Sequence, residues 1–409
     1  MREFSTTVGL DLGEKFHHFC ELDEGGEVLS QGRISSTEWA LQSMFEQRAA
    51  ALVVIEAGTH SPWVCRALEG WGHKVLVANS RKFRAIAASV AKCDERDAEM
   101  LARLGRADAK LLCPIRHRGR KAQADLSVLR SRDALVGART ALINHCRGMV
   151  KSLGARLPSC SADAFSKKAK DAVPEELRAA LGAVFAMVAE LTEKIRAMDR
   201  KIDDLCEQYD ETERLRAPRG VGSLTALAFV LTLEEPTRFA KSRTVPVYLG
   251  LVPRRDQSGD VDKQLRITKA GDTFLRRLLI SCAHYILGPF GGESDLRSWG
   301  LRLCERGGKN GKKRAVVAVA RKLAVLLHRL WVSEEPYEAA RKKDGPAREG
   351  KDEFIALEAD RGLNRKRVAK SRGSRAKSRV PGVVDPPSPA ALGLLSSRAL
   401  SSATTHPCG

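Results

Sequence analysis

Three observations predict an α/β N-terminal domain, a helical coiled-coil middle and a second, mainly helical domain. Short β-rich runs alternate with helical stretches over the first 110 residues. A four-three apolar repeat then runs from Leu177 to Leu205. Beyond residue 341 the hydrophobic periodicity is lost. Periodicities near 2 and near 3.6 separate strands from helices, and their order along the chain separates fold classes.

The N-terminal run opens with a strand over Thr6–Leu12, then a second over Phe16–Leu22. Gly25-Gly26 leads into a third over Glu27–Ile34, and spacing this short predicts an antiparallel meander. Thr37 is an N-cap for a helix through Arg48, with Trp39, Leu41, Met44 and Phe45 as its apolar positions. Ala51–Ile55 is continuously apolar, as a strand buried on both faces must be. A helix near Pro62–Trp71, a strand at Lys74–Ala78 and helices near Arg81–Ser89 and Asp94–Leu104 complete the unit. Three strands, then helix and strand twice over, then a helix, is the order of an RNase H-like fold.

Leu129, Val136, Ile143 and Val150 recur every seven residues in the middle region. The second series is Leu177, Leu181, Val184, Val188, Leu191, Ile195, Met198, Ile202 and Leu205, a coiled-coil seam. A helix over 174–209 would be roughly 54 Å long. The two helices are expected to form a hairpin, serving either internal packing or a dimerisation arm. A second globular unit opens with Pro218-Arg219-Gly220-Val221-Gly222 and closes with an apolar helix from about Ala315 to Trp331. The expected division is therefore 1–110, 111–215, 216–340 and a disordered basic tail over 341–409. The stretch Arg361–Arg379 is either a source of phosphate contacts or a solvated charge run.

The 409 residues carry a formal net charge of +20 and are 43% hydrophobic. A pI near 9.7 points to a polyanionic partner, with nucleic acid ahead of a membrane surface. No run is long and apolar enough to span a bilayer, and Met1–Thr7 lacks the apolar region of a secretory signal. Ten cysteines stand singly, with no C-x-x-C pair, which argues against structural zinc and fits a reducing cytoplasm.

Four acids then stand out. Asp11 ends the first strand within Gly9-Leu10-Asp11-Leu12-Gly13, and Glu56 ends the buried run Val53-Val54-Ile55. Asp94 and Asp97 lie three apart, on one face of a helix. If the first and fourth strands are neighbours, Asp11 and Glu56 converge and the helix brings the other two alongside. Such a group selects hard cations, Mg²⁺ or Mn²⁺, and two of them about 3.5–4 Å apart suit phosphoryl transfer. Taken alone, G-x-D-x-G fits a strand-end turn with Asp as its cap, and Asp94 and Asp97 are more often a helix N-cap and a solvated first-turn acid.

The order Asp11, Glu56, Asp94-x-x-Asp97 resembles the DEDD transposases of bacterial insertion elements, the insertion-sequence one-ten group. Their N-terminal domain is similar to the RuvC Holliday-junction resolvase, and pilin gene-inverting recombinases belong with them. Lys92-Cys93-Asp94-Glu95-Arg96-Asp97-Ala98 is close to that family's K-T-D-x-x-D-A. Arg219-Gly220-Val221-Gly222-Ser223-Leu224-Thr225-Ala226 resembles its P-G-V-G-x-x-T-A, with proline displaced one place to Pro218. Tyr248-Leu249-Gly250-Leu251-Val252-Pro253-Arg254 followed by Gln257-Ser258-Gly259 resembles Y-L-G-L-x-P-x with S-G; Gln257 and Asp260 stand where many relatives have a second serine and glycine. The likeness continues through Arg266–Asp272 and Leu275–Leu279.

The resemblance implies DNA strand cleavage and rejoining during excision and insertion of a mobile element. It implies Ser258 as a nucleophile forming a phosphoserine intermediate, a noncoding guide RNA as partner, and a homo-oligomer, dimer or tetramer. It places the work in the bacterial cytoplasm, at the nucleoid. Read from the residues, Ser258 is a serine in a polar, glycine-containing loop flanked by Arg254 and Arg255. Gly220 and Gly222 are either an interhelical turn or a phosphate-binding helix start. Lys263, Arg266, Lys269, Arg276 and Arg277, with Arg254 and Arg255, are the candidate phosphate contacts. The rivals are an actin-like ATPase or sugar kinase, built on Gly9-x-Asp11-x-Gly13 as a phosphate loop, and a non-enzymatic nucleic-acid-binding protein.

Overall fold

The computed structural model describes residues 4–79, 93–259, 261–306, 308 and 310–340. Five strands form one sheet: β1 (Thr7–Leu12), β2 (Phe16–Leu22), β3 (Val28–Ser35), β4 (Leu52–Glu56) and β5 (Lys74–Ala78). Their order is β3-β2-β1-β4-β5. Short turns leave β1, β2 and β3 antiparallel, while crossovers through helices make β4 parallel to β1 and β5 parallel to β4. The expected α/β domain is therefore present, and it fits the RNase H-like arrangement. The expected helix near Arg81–Ser89 and the tail 341–409 lie outside the described residues.

Helices cover both faces of the sheet. On one face α1 (Glu38–Phe45) and α2 (Ser61–Gly70) bury Leu41, Phe45, Val64 and Leu68 against Val8, Leu10, Val53 and Ile55. Thr37 caps α1 as expected, its Oγ1 accepting from the Ala40 N–H at 3.3 Å. The helix stops at Phe45 rather than at Arg48. Arg48 instead turns back to pair with Glu21 at 2.9 Å, and Trp39 is 77% exposed instead of packing inward. On the other face α3 (Asp94–Ala107) lies over β1, β2 and β4, joining Cys20 and Leu22 to Ala98 and Ala102.

The two long helices are α4 (Arg120–Ser152) and α5 (Glu175–Cys206), the latter about 48 Å long. They run antiparallel: Arg132 pairs with Asp199 at 2.8 Å, and Arg139, a few turns on, donates to Thr192 at 3.2 Å. Leu181, Val188, Ile195 and Ile202 of the seam are buried within one chain, with Ile143 and Val150 of the first series. Phe165 from the connecting segment stacks on Phe185 at 5.2 Å and seals the far end. The near ends, Leu126 and Leu129 with Ile202 and Cys206, sink into the hydrophobic core built by the helices that follow.

That core surrounds α6 (Ser223–Leu233), buried at every residue from Thr225 to Leu233. A helix apolar all round must be central. Around it pack α7 (Thr273–Leu287) and α9 (Gly311–Ser333), with α8 (Asp295–Glu305) against α9. One β-hairpin, β6 (Pro253–Ser258) and β7 (Val261–Ile267), stands off this helical body, exposed along nearly its whole length.

Candidate metal centre and serine hairpin

Alternation along β1 turns Val8 and Leu10 toward α1 and α2, and Gly9 and Asp11 toward α3. At Gly9 a Cβ would collide with the Ala98 carbonyl and the Ala102 amide, so α3 rests on bare backbone. Gly105 repeats the device a little further on, against Val54. This close approach sets the first turn of α3 beside the end of β1. Carboxylate oxygens of Asp11, Asp94 and Asp97 then lie within 4.8 Å of one another. Asp11 and Asp97 are half-buried and Asp94 is exposed.

Asp94 is the first residue of the helix rather than its cap. Cys93 occupies the N-cap position with extended backbone and no side-chain hydrogen bond. The N-cap alternative for Asp94 is thereby removed, and its carboxylate faces Asp11 instead. Glu56 ends β4, one position beyond the pair Leu10 and Ile55 in the parallel register with β1. It neighbours Asp11 along the strand ends but lies outside the cluster of three.

His18 joins this face although nothing in its own sequence neighbourhood singles it out. From β2 it stands opposite Asp11 of β1, and its Nε2 is 3.9 Å from Asp94 Oδ2. The usable signal was register: in an antiparallel pair joined by a short turn, the residue opposite a catalytic acid shares its face. Its neighbour His17 points the other way, into a fully buried contact with His60 and Trp63. Burial, reinforced by His60, pushes the His17 imidazole down to about 4.

Three carboxylates this close repel one another unless a cation joins them. All-oxygen donors suit Mg²⁺ or Mn²⁺ over softer metals, so the residues present fit a hard divalent ion.

Ser258 closes β6 opposite Val261, just before Gly259 at φ +53°. It is exposed at the tip of the hairpin and is not part of the carboxylate cluster. Register places Asp256 and Lys263, themselves a cross-strand pair, on its face. The base of the hairpin is tightly built. Gly250 (φ +69°) and Gly271 (φ +71°) lie where a Cβ would strike Ala270 and Tyr248 backbone respectively. Arg276 clamps the crossing, donating to the carbonyls of Leu249 at 3.0 Å and Ala270 at 2.8 Å. Asp272 caps α7 at the Leu275 N–H and accepts from Arg130 at 2.8 Å.

The basic residues therefore divide. Arg254, Lys263, Arg266 and Lys269 are exposed on or beside the hairpin. Arg255 is engaged by both oxygens of Asp262, at 2.9 and 2.8 Å, and Arg277 pairs with Asp133 at 2.5 Å. Arg276 is buried against backbone carbonyls, which replaces the expected phosphate contact with a structural one. Gly220 (φ +97°) is needed for packing, since a Cβ would lie 2.9 Å from the Tyr285 ring; Gly222 is the exposed N-cap of α6.

A mixed sheet of this order, with acids at the ends of β1 and β4 and on the helix across them, fits an RNase H-like domain. The chain belongs to the IS110-type transposase family. The family's DEDD model, described as a transposase, matches residues 8–154, and the model described as "Transposase IS116/IS110/IS902 family" matches 212–290. The chain is 27% identical over 338 residues to the transposase for insertion sequence element IS1111A of Coxiella burnetii, covering 81% of this chain and 90% of that one. It is 28% identical over 341 residues to a probable family 20 transposase of Pseudomonas aeruginosa, covering 81% and 98%. It is 23% identical over 347 residues to the pilin gene-inverting protein of Moraxella bovis, again covering 81% and 98%. Among the described residues no helix is long and apolar enough to cross a membrane.

Proposed function

We propose that this chain is a DNA recombinase that cuts and rejoins strands to excise and insert a mobile element. The observation that carries the reading is the convergence of Asp11, Asp94 and Asp97 within 4.8 Å, on two elements about ninety residues apart. Asp11, Glu56, Asp94 and Asp97 would hold one or two Mg²⁺ or Mn²⁺ ions. Bound there, such ions supply Lewis-acid stabilisation of charge developing at the phosphoryl group.

Ser258 is the nucleophile in this reading. Its Oγ attacks a backbone phosphorus and loses its proton; one P–O bond breaks, and that sugar departs as a free hydroxyl. The other end stays joined to the serine until a second strand's hydroxyl displaces it, so each cut conserves the bond needed for rejoining. A serine hydroxyl is a weak nucleophile at neutral pH and needs a partner to accept its proton. The nearest histidine in sequence, His284, lies on α7. The carboxylate cluster takes that role, either from the same chain or from a second copy, which is why a dimer or tetramer belongs to the reading. Exposed Arg254, Lys263, Arg266 and Lys269 neutralise phosphates, and the helix start at Gly222, the N-cap of α6, is a further place for an anion. An element-encoded guide RNA, paired to donor and target DNA, rests on the family resemblance alone, as does action at the bacterial nucleoid.

The kinase-like rival needs a second, related α/β domain. Among the described residues, the chain after α3 offers long helices and one two-stranded hairpin. The test is recombination of a plasmid carrying the element's ends in cells expressing wild type or Asp11→Asn. Recombination with the first and none with the second supports the assignment; equal rates would remove it.

A further inference from the structure

The carboxylate cluster does not stand alone on its face of the sheet. Cross-strand register aligns Asp11 on β1 with His18 on β2, and His18 with Arg33 on β3. These three residues form one row, pointing to the side that α3 occupies. Strands lie about 4.8 Å apart, so Arg33 is offset from Asp11 by roughly 10 Å across the sheet. Phe16, on the same face one step along β2, lies beneath the Arg33 guanidinium at 4.6 Å from the ring centroid and is itself 40% exposed. Arg33 is exposed, and among the described residues it makes no ion pair. His18, between it and Asp11, has its Nδ1 buried without a hydrogen-bond partner among the described residues.

We propose that Arg33, seated on Phe16, is a phosphate-binding residue that receives the DNA strand one or two nucleotides from the phosphate at the Asp11 cluster. The inference rests on the recombinase reading and extends it from the reacting centre to the path of the strand. Charge argues for this occupant. A polyanion brought to three carboxylates is repelled by them, and a fixed cation on the same row offsets that repulsion and sets the strand's direction. An arginine suits the task better than a lysine, because its planar fork holds a phosphate with two hydrogen bonds while its face rests on an aromatic ring. The ring also offers a surface on which a base can stack at the exposed edge of the sheet. β3 is that edge, so a strand can enter over it without crossing another element of the sheet.

The full chain is the right test object, since Arg33 and Phe16 are exposed and their replacement leaves the core intact. The first measurement is binding to a labelled DNA duplex in metal-free buffer over a salt titration. Arg33→Gln should weaken binding roughly fivefold and lower the salt slope by about one. Arg33→Lys should keep the slope but recover only part of the affinity. Arg196→Gln, on the far helix and paired with Glu193, should match wild type. The second measurement places a photo-crosslinking phenylalanine analogue at position 16. It should join the protein to DNA, and Arg33→Gln should suppress that product. Unchanged affinity and slope in Arg33→Gln would overturn the proposal, as would a crosslinker at position 16 that reaches protein but not DNA. A chain that binds DNA through Arg33 yet never cuts it would contradict the recombinase reading and leave this surface standing. Normal cutting by Arg33→Gln would remove this surface alone.

Discussion

Gly9 and Ala98 meet backbone to backbone, with no room for a side chain between β1 and α3. The contact sets the distance between Asp11, two residues along the strand, and Asp94 and Asp97 on the helix's first turn. Gly9→Ala should therefore act twice. Overpacking should cost about 1–3 kcal/mol of stability, read as a lower midpoint in urea. Displacement of the helix should also separate the carboxylates, so that the rise in melting temperature caused by Mn²⁺ in wild type becomes much smaller. Normal stability and a normal Mn²⁺ response would show that the helix does not rest on Gly9 as described.

Asp11→Asn and Asp97→Asn should behave oppositely to Gly9→Ala when metal is withheld. Removing one of several mutually repelling carboxylates leaves the apo protein as stable as wild type, or slightly more so. Both variants should lose the stabilisation by Mg²⁺ or Mn²⁺ that linkage gives the wild type. Calorimetric scans with and without metal separate the two effects. A variant that still gains as much from the metal as wild type would exclude that residue as a ligand.

Arg276→Gln tests the base of the serine hairpin. Its guanidinium holds the carbonyls of Leu249 and Ala270 where two glycines let the backbones cross. Leaving those acceptors unpaired should cost about 1–3 kcal/mol. Because the hairpin beyond the crossing is exposed, the loss should fall on the aim of Ser258 more than on the helical core. We expect strand cleavage to slow at saturating DNA while the DNA dissociation constant stays within about threefold. A variant that loses DNA binding and keeps its cleavage rate would return Arg276 to the list of phosphate contacts.

His17 gives the N-terminal domain an acid limb. Its imidazole titrates near 4 in the folded chain, because it is buried and faces His60, against an ordinary value of 6.5. The unfolded chain therefore takes up the proton first. The contribution of neutral His17 is fully present above pH 6.5 and is lost progressively as the pH falls toward 4, by about 3 kcal/mol in all. His17→Leu should flatten the stability profile between pH 6.5 and 5, above the range where carboxylates dominate. An unchanged slope in that window would assign the acid sensitivity elsewhere.

Much of the N-terminal domain was legible because its strands are short β-rich runs bounded by turns, several of them buried on both faces. β2 and β5 fall where alternation and apolar runs place them, and the four acids were readable from their places at strand and helix ends. Gly9 was not: its role depends on a helix that begins more than eighty residues later, so its own neighbourhood suggested only a turn or a phosphate loop. The hairpin β6–β7 escaped for a different reason. Arg254 to Ser258 are polar on both faces, and in β7 the apolar Val261 and Leu265 stay exposed among charged neighbours, so neither strand carries the apolar face that marks a buried strand. Charge alone also could not sort the arginines. Arg276 and Arg254 look alike in sequence, yet one is buried against carbonyls and the other is exposed.

The joint role of the carboxylate cluster and Ser258 is tested most directly by trapping the covalent intermediate. Wild-type protein, supplied with Mg²⁺, nicked DNA carrying the element's end and RNA transcribed from the element, should yield a protein–DNA adduct that survives denaturant and maps to Ser258. Ser258→Ala and Asp11→Asn should each bind the DNA and yield none. An adduct formed in full by Ser258→Ala, or by wild type with the metal chelated, would contradict the mechanism.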